Sequence, residues 1–136
     1  MNTKLRTRTR GQSLVEAALA LPVLVMLMLG LLDFGRAYYA IVSLKDAADE
    51  GATYASHHPS DVVGIRRRAS EASRQLAQIE PNDVTVIYPP TLYAGAPITV
   101  TTKLVLRLYT PFANAFVPSS ELELHGSATH ALVSTR

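Results

Sequence analysis

The chain has 136 residues, with 13 Lys+Arg against 11 Asp+Glu, a formal charge of +2 and an isoelectric point near 9.1. The length suits one domain, and a composition that is 48% hydrophobic and 18% charged excludes an intrinsically disordered chain. The absence of cysteine excludes a disulfide framework, a thiolate nucleophile and a cysteine-based zinc site. A basic isoelectric point indicates nucleic-acid binding only where the cations share a binding face.

The cations are instead concentrated at the N-terminus. Residues 1–11 contain four basic side chains and no acidic one, whereas residues 17–32 carry no charge at all. As a helix, the 21 residues of segment 12–32 would rise about 31 Å, which matches the thickness of a bilayer's hydrocarbon core. The sequence therefore predicts one transmembrane helix, which we place at residues 12–35.

The charges on either side of this span predict its orientation. Four cations precede it, whereas acidic and basic residues are mixed after it, so the N-terminus is expected inside the cell and the C-terminal head outside. A cleaved secretory signal peptide is the alternative, but it needs a small-x-small cleavage site. The nearby segment Gly35-Arg36-Ala37 is a poor candidate.

Charged side chains also lie at both ends of the span. Glu16 falls in the first turns, where the unsatisfied N–H groups and the helix dipole favour an anion. Asp33 and Arg36, three residues apart, are interpreted as anchors at the outer membrane edge. A charge at mid-bilayer would cost about 2.5–3.5 kcal/mol, and less near the edge, which favours an interfacial position for the Glu16 carboxylate.

The string RGQSLVEAALALP from Arg10, followed by a Leu/Val/Met run and LGLLDFGRA, resembles the TadE-like family of minor pilins, or pseudopilins, of tight-adherence (Tad/Flp) pilus systems. The resemblance is close over residues 10 to about 55. It implies cleavage by a prepilin peptidase after Gly11, five residues before Glu16, so that residues 1–11 are a basic leader and Gln12 becomes the N-terminus. The sequence departs from many pilins at Gln12, where Phe is usual, and at Ala17, where the major Flp pilins have Tyr.

Cleavage at this position would give Glu16 a partner. The new amine of Gln12 and the carboxylate of Glu16 are four residues apart, on one face of the helix. The resemblance implies that the same carboxylate attracts the N-terminal amine of a neighbouring pilin during assembly. It also implies the partners: the prepilin peptidase, other major and minor pilins, the inner-membrane assembly platform and the lipid bilayer, with no nucleic acid.

The rest of the chain predicts a pilin-like α+β head at residues 36–136, helical over 36–80 and β over 83–133. The first helix is expected from about Ser13 to His57, and a second from an N-cap at Ser60 or Asp61 to about Ile79. Both carry apolar seams, expected to pack on each other or on a sheet rather than in a coiled coil with another subunit. The seams are Ala37, Ile41, Leu44, Ala48, Gly51 and Ala55, then Val62, Ile65, Ala69, Ala72, Leu76 and Ile79.

From Asp83 the apolar period changes to two, which predicts three antiparallel strands with one buried face. The alternating apolar positions are Val84, Val86 and Tyr88, then Ile98, Val100, Leu104, Leu106 and Leu108, then Leu122, Leu124, Ala128 and Leu132. Between the last two strands, Phe112 and Phe116 make an unusually apolar loop. They either cap the core of the head or form a docking patch for a partner pilin or the membrane surface.

No residue pattern indicates catalysis or a cofactor. Arg66-Arg67-Arg68 is interpreted as a solvated helix face, because three successive positions fan out around a helix. The four histidines lack metal-ligand spacing; His130 is expected on the buried face of its strand and His125 on the opposite face. We expect no enzyme, no metal and no cofactor, and the main alternative function is an uncleaved, membrane-anchored extracytoplasmic binding module.

Overall fold

The computed structural model describes residues 8–73, 77–111, 113 and 118–133, and the fold predicted from the sequence is confirmed. A long helix and a short helix pack on one antiparallel sheet whose strands lie in chain order. Single 3₁₀ turns at Pro81–Asp83 and Pro118–Ser120 precede the first and last strands. The elements are α1 (Arg8–His57), α2 (Val62–Ser73), β1 (Val84–Ile87), β2 (Pro97–Arg107) and β3 (Glu121–Ala131).

The helix α1 is continuous over 50 residues and passes through Pro22 without interruption. At about 1.5 Å per residue it is roughly 75 Å long. Its apolar N-terminal half is exposed, whereas its C-terminal half forms one side of the core of the head. The predicted seam is confirmed, with Leu44, Ala48, Gly51 and Ala55 buried and Ala37 and Ile41 partly buried.

Small residues let α1 approach its neighbours closely. A Cβ placed on Gly51 would lie 3.1 Å from both the Ala69 Cβ of α2 and the Val100 Cγ1 of β2. A Cβ placed on Gly126 of β3 would overlap the backbone of Leu44. The two glycines therefore mark where the second helix and the sheet contact α1 most closely.

A buried hydroxyl joins the sheet to α1 at the same level. Thr102 is fully buried on β2, opposite Gly126 of β3. Its Oγ1 donates a hydrogen bond of 2.9 Å to the backbone carbonyl of Leu44, which lies 58 residues earlier in the chain. A buried polar side chain needs such a partner, so Thr102 helps to set the height of the sheet along α1.

Asp61 begins α2, as one of the two predicted N-caps. Its Oδ1 accepts a 2.9 Å bond from the Gly64 N–H, and its Oδ2 accepts a 2.9 Å bond from the Tyr54 hydroxyl of α1. These two hydrogen bonds hold the pKa of the Asp61 carboxyl below its usual range, and the bond from the Gly64 N–H has the larger effect. The carboxylate therefore both caps α2 and ties it to α1.

The predicted end of the second helix is wrong: α2 ends at Ser73, not near Ile79. Ala72, assigned to the buried seam, is exposed, and Leu76 lies outside the described residues. Ser70 and Ser73 are buried instead. Burial leaves neither hydroxyl unpaired, because each donates a 2.9 Å hydrogen bond to the carbonyl three residues earlier. Such bonds let serine replace an apolar residue in a helix interface, which hydrophobic periodicity does not detect.

The strand alternation is confirmed except at Tyr88, which follows β1 and is exposed; its hydroxyl donates a hydrogen bond to the Pro59 carbonyl. Apolar side chains of β1, β2 and β3 at the predicted positions face α1 and α2, whereas Thr85, Lys103, Glu123 and Ser127 are exposed on the other face. The register pairs Val84 with Thr102 and Thr102 with Gly126. One face of the sheet is therefore covered by helices, and the other carries mainly polar side chains.

Replacing Gly126 with Ala is expected to destabilise the head by about 1–3 kcal/mol, the usual cost of overpacking a core. The added methyl would meet backbone of α1, which cannot move aside as a side chain can. Ser127→Ala, on the exposed face of the same strand, is the matched control. Urea unfolding of both variants in detergent micelles measures the difference, and equal midpoints would contradict the close approach.

The Asp61 contacts predict a pH dependence. Because the pKa is lower in the folded state, the charged form adds stability at neutral pH, and this is lost as the pH falls below about 4. Asp61→Asn keeps a capping side chain without the titration, so its unfolding midpoint should be lower than that of the unmodified chain at pH 7 and equal to it near pH 2. Asp46→Asn, at an exposed position of α1, is the control. If the difference between the two unfolding midpoints stayed constant with pH, the stabilising role of the Asp61 carboxylate would be contradicted.

Candidate functional site

The predicted processing segment lies at the exposed start of α1. Apart from its chain neighbours and the nearby backbone of its own helix, no atom of the described residues lies within 4 Å of a Cβ added to Gly11, and Gln12 and Glu16 are both exposed. In the uncut chain the side-chain amide of Gln12 donates to Glu16 Oε1 at 3.2 Å. The expected four-residue spacing thus brings the two residues together, but through the Gln12 side chain, a donor that the sequence reasoning did not consider.

The apolar segment that follows has no cover from the rest of the described chain. Its large side chains are exposed almost without exception, and the helix is long and apolar enough to span a membrane. An α-helix satisfies its backbone hydrogen bonds internally, so it is one of the few structures that lipid accepts. Examples of the exposed side chains are Leu14, Leu19, Leu21, Leu27, Leu31 and Phe34.

Asp33 is the first buried side chain along α1, counted from Gly11, where the described side chains begin. Asp33 is 5% exposed and its Oδ2 accepts three hydrogen bonds from the segment that follows β2. The donors are the Tyr109 N–H at 2.8 Å, the Thr110 N–H at 2.7 Å and the Thr110 hydroxyl at 2.7 Å. The carboxylate therefore fastens the exit of β2 to the helix across more than 70 residues of sequence.

Arg36 completes this junction, which we call the Asp33 clamp and define as Asp33, Arg36, Tyr109 and Thr110. Nη1 of Arg36 lies 3.4 Å from Asp33 Oδ1. It also donates a 3.2 Å hydrogen bond to the Arg107 carbonyl at the end of β2. Its guanidinium carbon also lies 4.2 Å from the centroid of the Tyr109 ring, a cation–π contact. Arg36 thus holds the carboxylate, the strand end and the aromatic ring together.

The clamp adds to the prediction for Asp33 and Arg36. The structure shows that the two side chains, three residues apart, form an ion pair. Their position at the membrane edge stays a prediction. Their partners on the β2 exit were missed, because nothing in local spacing indicates a contact between residues 33 and 110. The only available signal was a carboxylate at the end of a long apolar run.

The other predicted docking residues, Phe112 and Phe116, lie outside the described residues. Their neighbour Ala113 is buried, and its N–H donates 3.1 Å to the Thr110 carbonyl. The two roles considered for the phenylalanines, core cap or docking patch, therefore both stay open.

The histidines make pairwise contacts. His130 lies on the face of β3 that packs toward α1, as predicted, but it is half-buried, and its Nε2 is 2.8 Å from Asp49 Oδ1. His125 is exposed on the opposite face, 3.6 Å from Glu123. Across residues 8–73, 77–111, 113 and 118–133, no group of three or more histidine or acidic side chains could hold a metal ion.

Replacing Asp33 with Ala is expected to destabilise the head, because two backbone N–H groups and a hydroxyl lose their acceptor. A buried donor left unpaired costs about 1–3 kcal/mol. These donors are only part-buried, so a loss of about that size is expected for the three together. Asp46→Ala, at an exposed position of the same helix, is the control and should change little. Urea unfolding in detergent micelles measures both, and matching midpoints would show that the clamp contributes no stability.

The match to a known protein family covers about the N-terminal third of the chain. The family model described as TadE-like protein matches residues 11–53. No curated protein and no solved structure matches the chain. The matched segment begins at the predicted cleavage site, includes Glu16, Asp33 and Arg36, and ends in the buried half of α1. The resemblance found in the sequence is therefore confirmed, and residues 11–53 are a TadE-like segment.

Proposed function

We propose that the chain is a minor pilin or pseudopilin, a membrane-inserted structural component for the assembly of tight-adherence pili. The observation that carries this proposal is the form of α1 within its TadE-like segment. One unbroken helix has an exposed apolar half and a half that is built into a folded head. A pilin-like subunit needs this arrangement, because the same helix holds it in the membrane and packs it against other subunits.

The proposed sequence of events starts with insertion. The basic leader stays on the cytoplasmic side of the bacterial cytoplasmic membrane, and the head is on the outer side. A prepilin peptidase then cuts between Gly11 and Gln12, which removes four cations and no anion. The mature chain has nine basic against eleven acidic residues, a net charge of −2. The high isoelectric point therefore belongs to the leader, and we propose no role in nucleic-acid binding.

Assembly would follow through α1. The freed amine of Gln12 and the carboxylate of Glu16 are exposed on one side of the helix, where a neighbouring subunit can reach them. The exposed apolar half would then exchange lipid contacts for contacts with the helices of other pilins, in a pilus or in its membrane complex. No catalytic step is part of this proposal, and the subunit acts through the inner-membrane assembly platform.

Cleavage is the direct test of the proposal. Co-expression with a prepilin peptidase should give a membrane-extracted protein whose intact mass has lost residues 1–11 and whose sequence begins at Gln12. Gly11→Val should prevent cleavage, because it adds a branched side chain beside the scissile bond. Gly35→Ala, at another glycine with no neighbour within 4 Å, should leave cleavage unchanged. A mature chain that still begins at Met1 would support the uncleaved binding module instead.

The role of Glu16 is tested separately. Glu16→Gln keeps the size of the side chain and its acceptor oxygen but removes the charge that attracts an amine. Cleavage is expected to be normal, whereas co-purification with other pilins should fall severalfold. Glu50→Gln, at an exposed position within the head, is the control. Normal co-purification of the Glu16 variant would contradict the proposed docking of carboxylate and amine.

A further inference from the structure

Membrane insertion, which is part of the proposed function, defines the height of the Asp33 clamp relative to the bilayer. Residues 12–32 rise about 31 Å as a helix, close to the whole hydrocarbon thickness of about 30 Å. Asp33 then lies at the outer boundary of the hydrocarbon. The interfacial layer on each side adds about 5–7 Å, so the next turn of α1 lies among the lipid headgroups.

The clamp carries part of the head to the same height. Tyr109 N and Thr110 N lie 2.8 and 2.7 Å from the Asp33 carboxylate, so the exit of β2 cannot stand away from the membrane. The bond from Arg36 to the Arg107 carbonyl holds the end of the strand there as well. The head is thus fastened to the helix at the level where the span ends.

The side chains exposed at this height suit a lipid interface. Tyr109 is 68% exposed, and its ring lies against the guanidinium of Arg36, whose side chain is 39% exposed. Tyr39 is 60% exposed on α1, and its backbone lies about 9 Å above Asp33, just beyond this layer. Helix side chains lean toward the N-terminus, which brings the Tyr39 ring back toward the headgroups. Tyrosine is enriched at the headgroup level, because its ring is apolar and its hydroxyl is polar.

The opposite end of the head supplies a comparison. Tyr93, in the loop between β1 and β2, is 57% exposed, much as Tyr109 is. This loop is joined to the far end of α1, because Gly95 N–H donates to the Leu132 carbonyl and Val133 N–H donates to the Ser56 carbonyl. Ser56 is 23 residues beyond Asp33, about 35 Å along the helix. The two tyrosines therefore differ mainly in their distance from the span.

We propose that Tyr109, Arg36 and Tyr39 form a headgroup contact, so that the head of the membrane-inserted subunit sits on the phospholipid surface instead of standing free of it. The partner is the phospholipid headgroup layer, zwitterionic or anionic. Neither nearby cation is left without an acidic neighbour: Arg36 lies 3.4 Å from Asp33, and Arg107 lies 3.7 Å from Glu121. The contact gives the head a fixed orientation on the bilayer. It rests on the proposed membrane insertion, and the experiment below separates the two.

The chain contains no tryptophan, so single tryptophan variants report one position at a time. Tyr109→Trp and Tyr39→Trp probe the proposed contact, Tyr93→Trp is the matched control at the far end, and Leu24→Trp probes insertion of the span. The full chain is reconstituted in phosphatidylcholine vesicles that carry a spin-label quencher either on the headgroup or deep on the acyl chain. Circular dichroism of each variant checks that it is folded.

The headgroup quencher should quench Tyr109→Trp and Tyr39→Trp severalfold more strongly than Tyr93→Trp, and aqueous iodide should show the reverse order. If Leu24→Trp responds to the deep quencher while both contact variants behave like Tyr93→Trp, the headgroup contact is overturned and insertion stands. If Leu24→Trp does not respond to the deep quencher, both insertion and the contact are overturned. Should Tyr109→Trp fail to fold, Tyr39→Trp alone decides the result.

Discussion

The structure depends on one constraint, which is that a single helix serves two environments and changes between them at Asp33. Up to Leu32, α1 exposes its apolar side chains. Beyond Asp33, one face of the helix is buried in the core of the head. A carboxylate suits this boundary, because one oxygen can accept hydrogen bonds from several N–H groups. Here the donors are the N–H groups of Tyr109 and Thr110, which follow the end of β2. The clamp thereby joins the end of the exposed apolar segment of α1 to the base of the head.

Contacts farther along α1 make the attachment rigid. Gly126 lets β3 lie against the Leu44 backbone, and the buried Thr102 hydroxyl binds the carbonyl of that same residue. Gly51 allows α2 and β2 to meet α1 one to two turns later. The sheet is therefore held to α1 at several heights, among them Asp33, Leu44 and Gly51, which together fix both its distance along the helix and its angle.

The architecture was predictable because each element buries one regular face. The seam of α1 and the alternation of β2 and β3 both follow from burial against a single partner layer, so periodicity found them. Polar residues in the core were not predictable in this way. Ser73 replaced an apolar residue through a local hydrogen bond, and Thr102 and Asp33 found partners 58 and more than 70 residues away. Such contacts join residues that are distant in the sequence, so they can be recognised only once the fold is known.

The candidate functional residues show the same division. Gly11 and Glu16 were identified through the resemblance to the TadE-like family, and the family match that begins at residue 11 covers them. That match ends at residue 53, so the sheet and its contacts with α1 had to be interpreted from geometry alone. Tyr109 is the clearest case: it has no motif, and only its hydrogen bond to Asp33 and its contact with Arg36 place it beside the span.

The central claim, that α1 passes from lipid to protein at Asp33, is tested most directly by a cysteine scan along the helix. The chain has no native cysteine, so a single spin label can be introduced at each position from Leu14 to His57 of the membrane-reconstituted protein. We predict preferential access to oxygen through Leu32, a change over residues 33–36, and then a periodic pattern in which seam positions are inaccessible. Free access of a water-soluble relaxation agent throughout residues 17–32 would contradict the account.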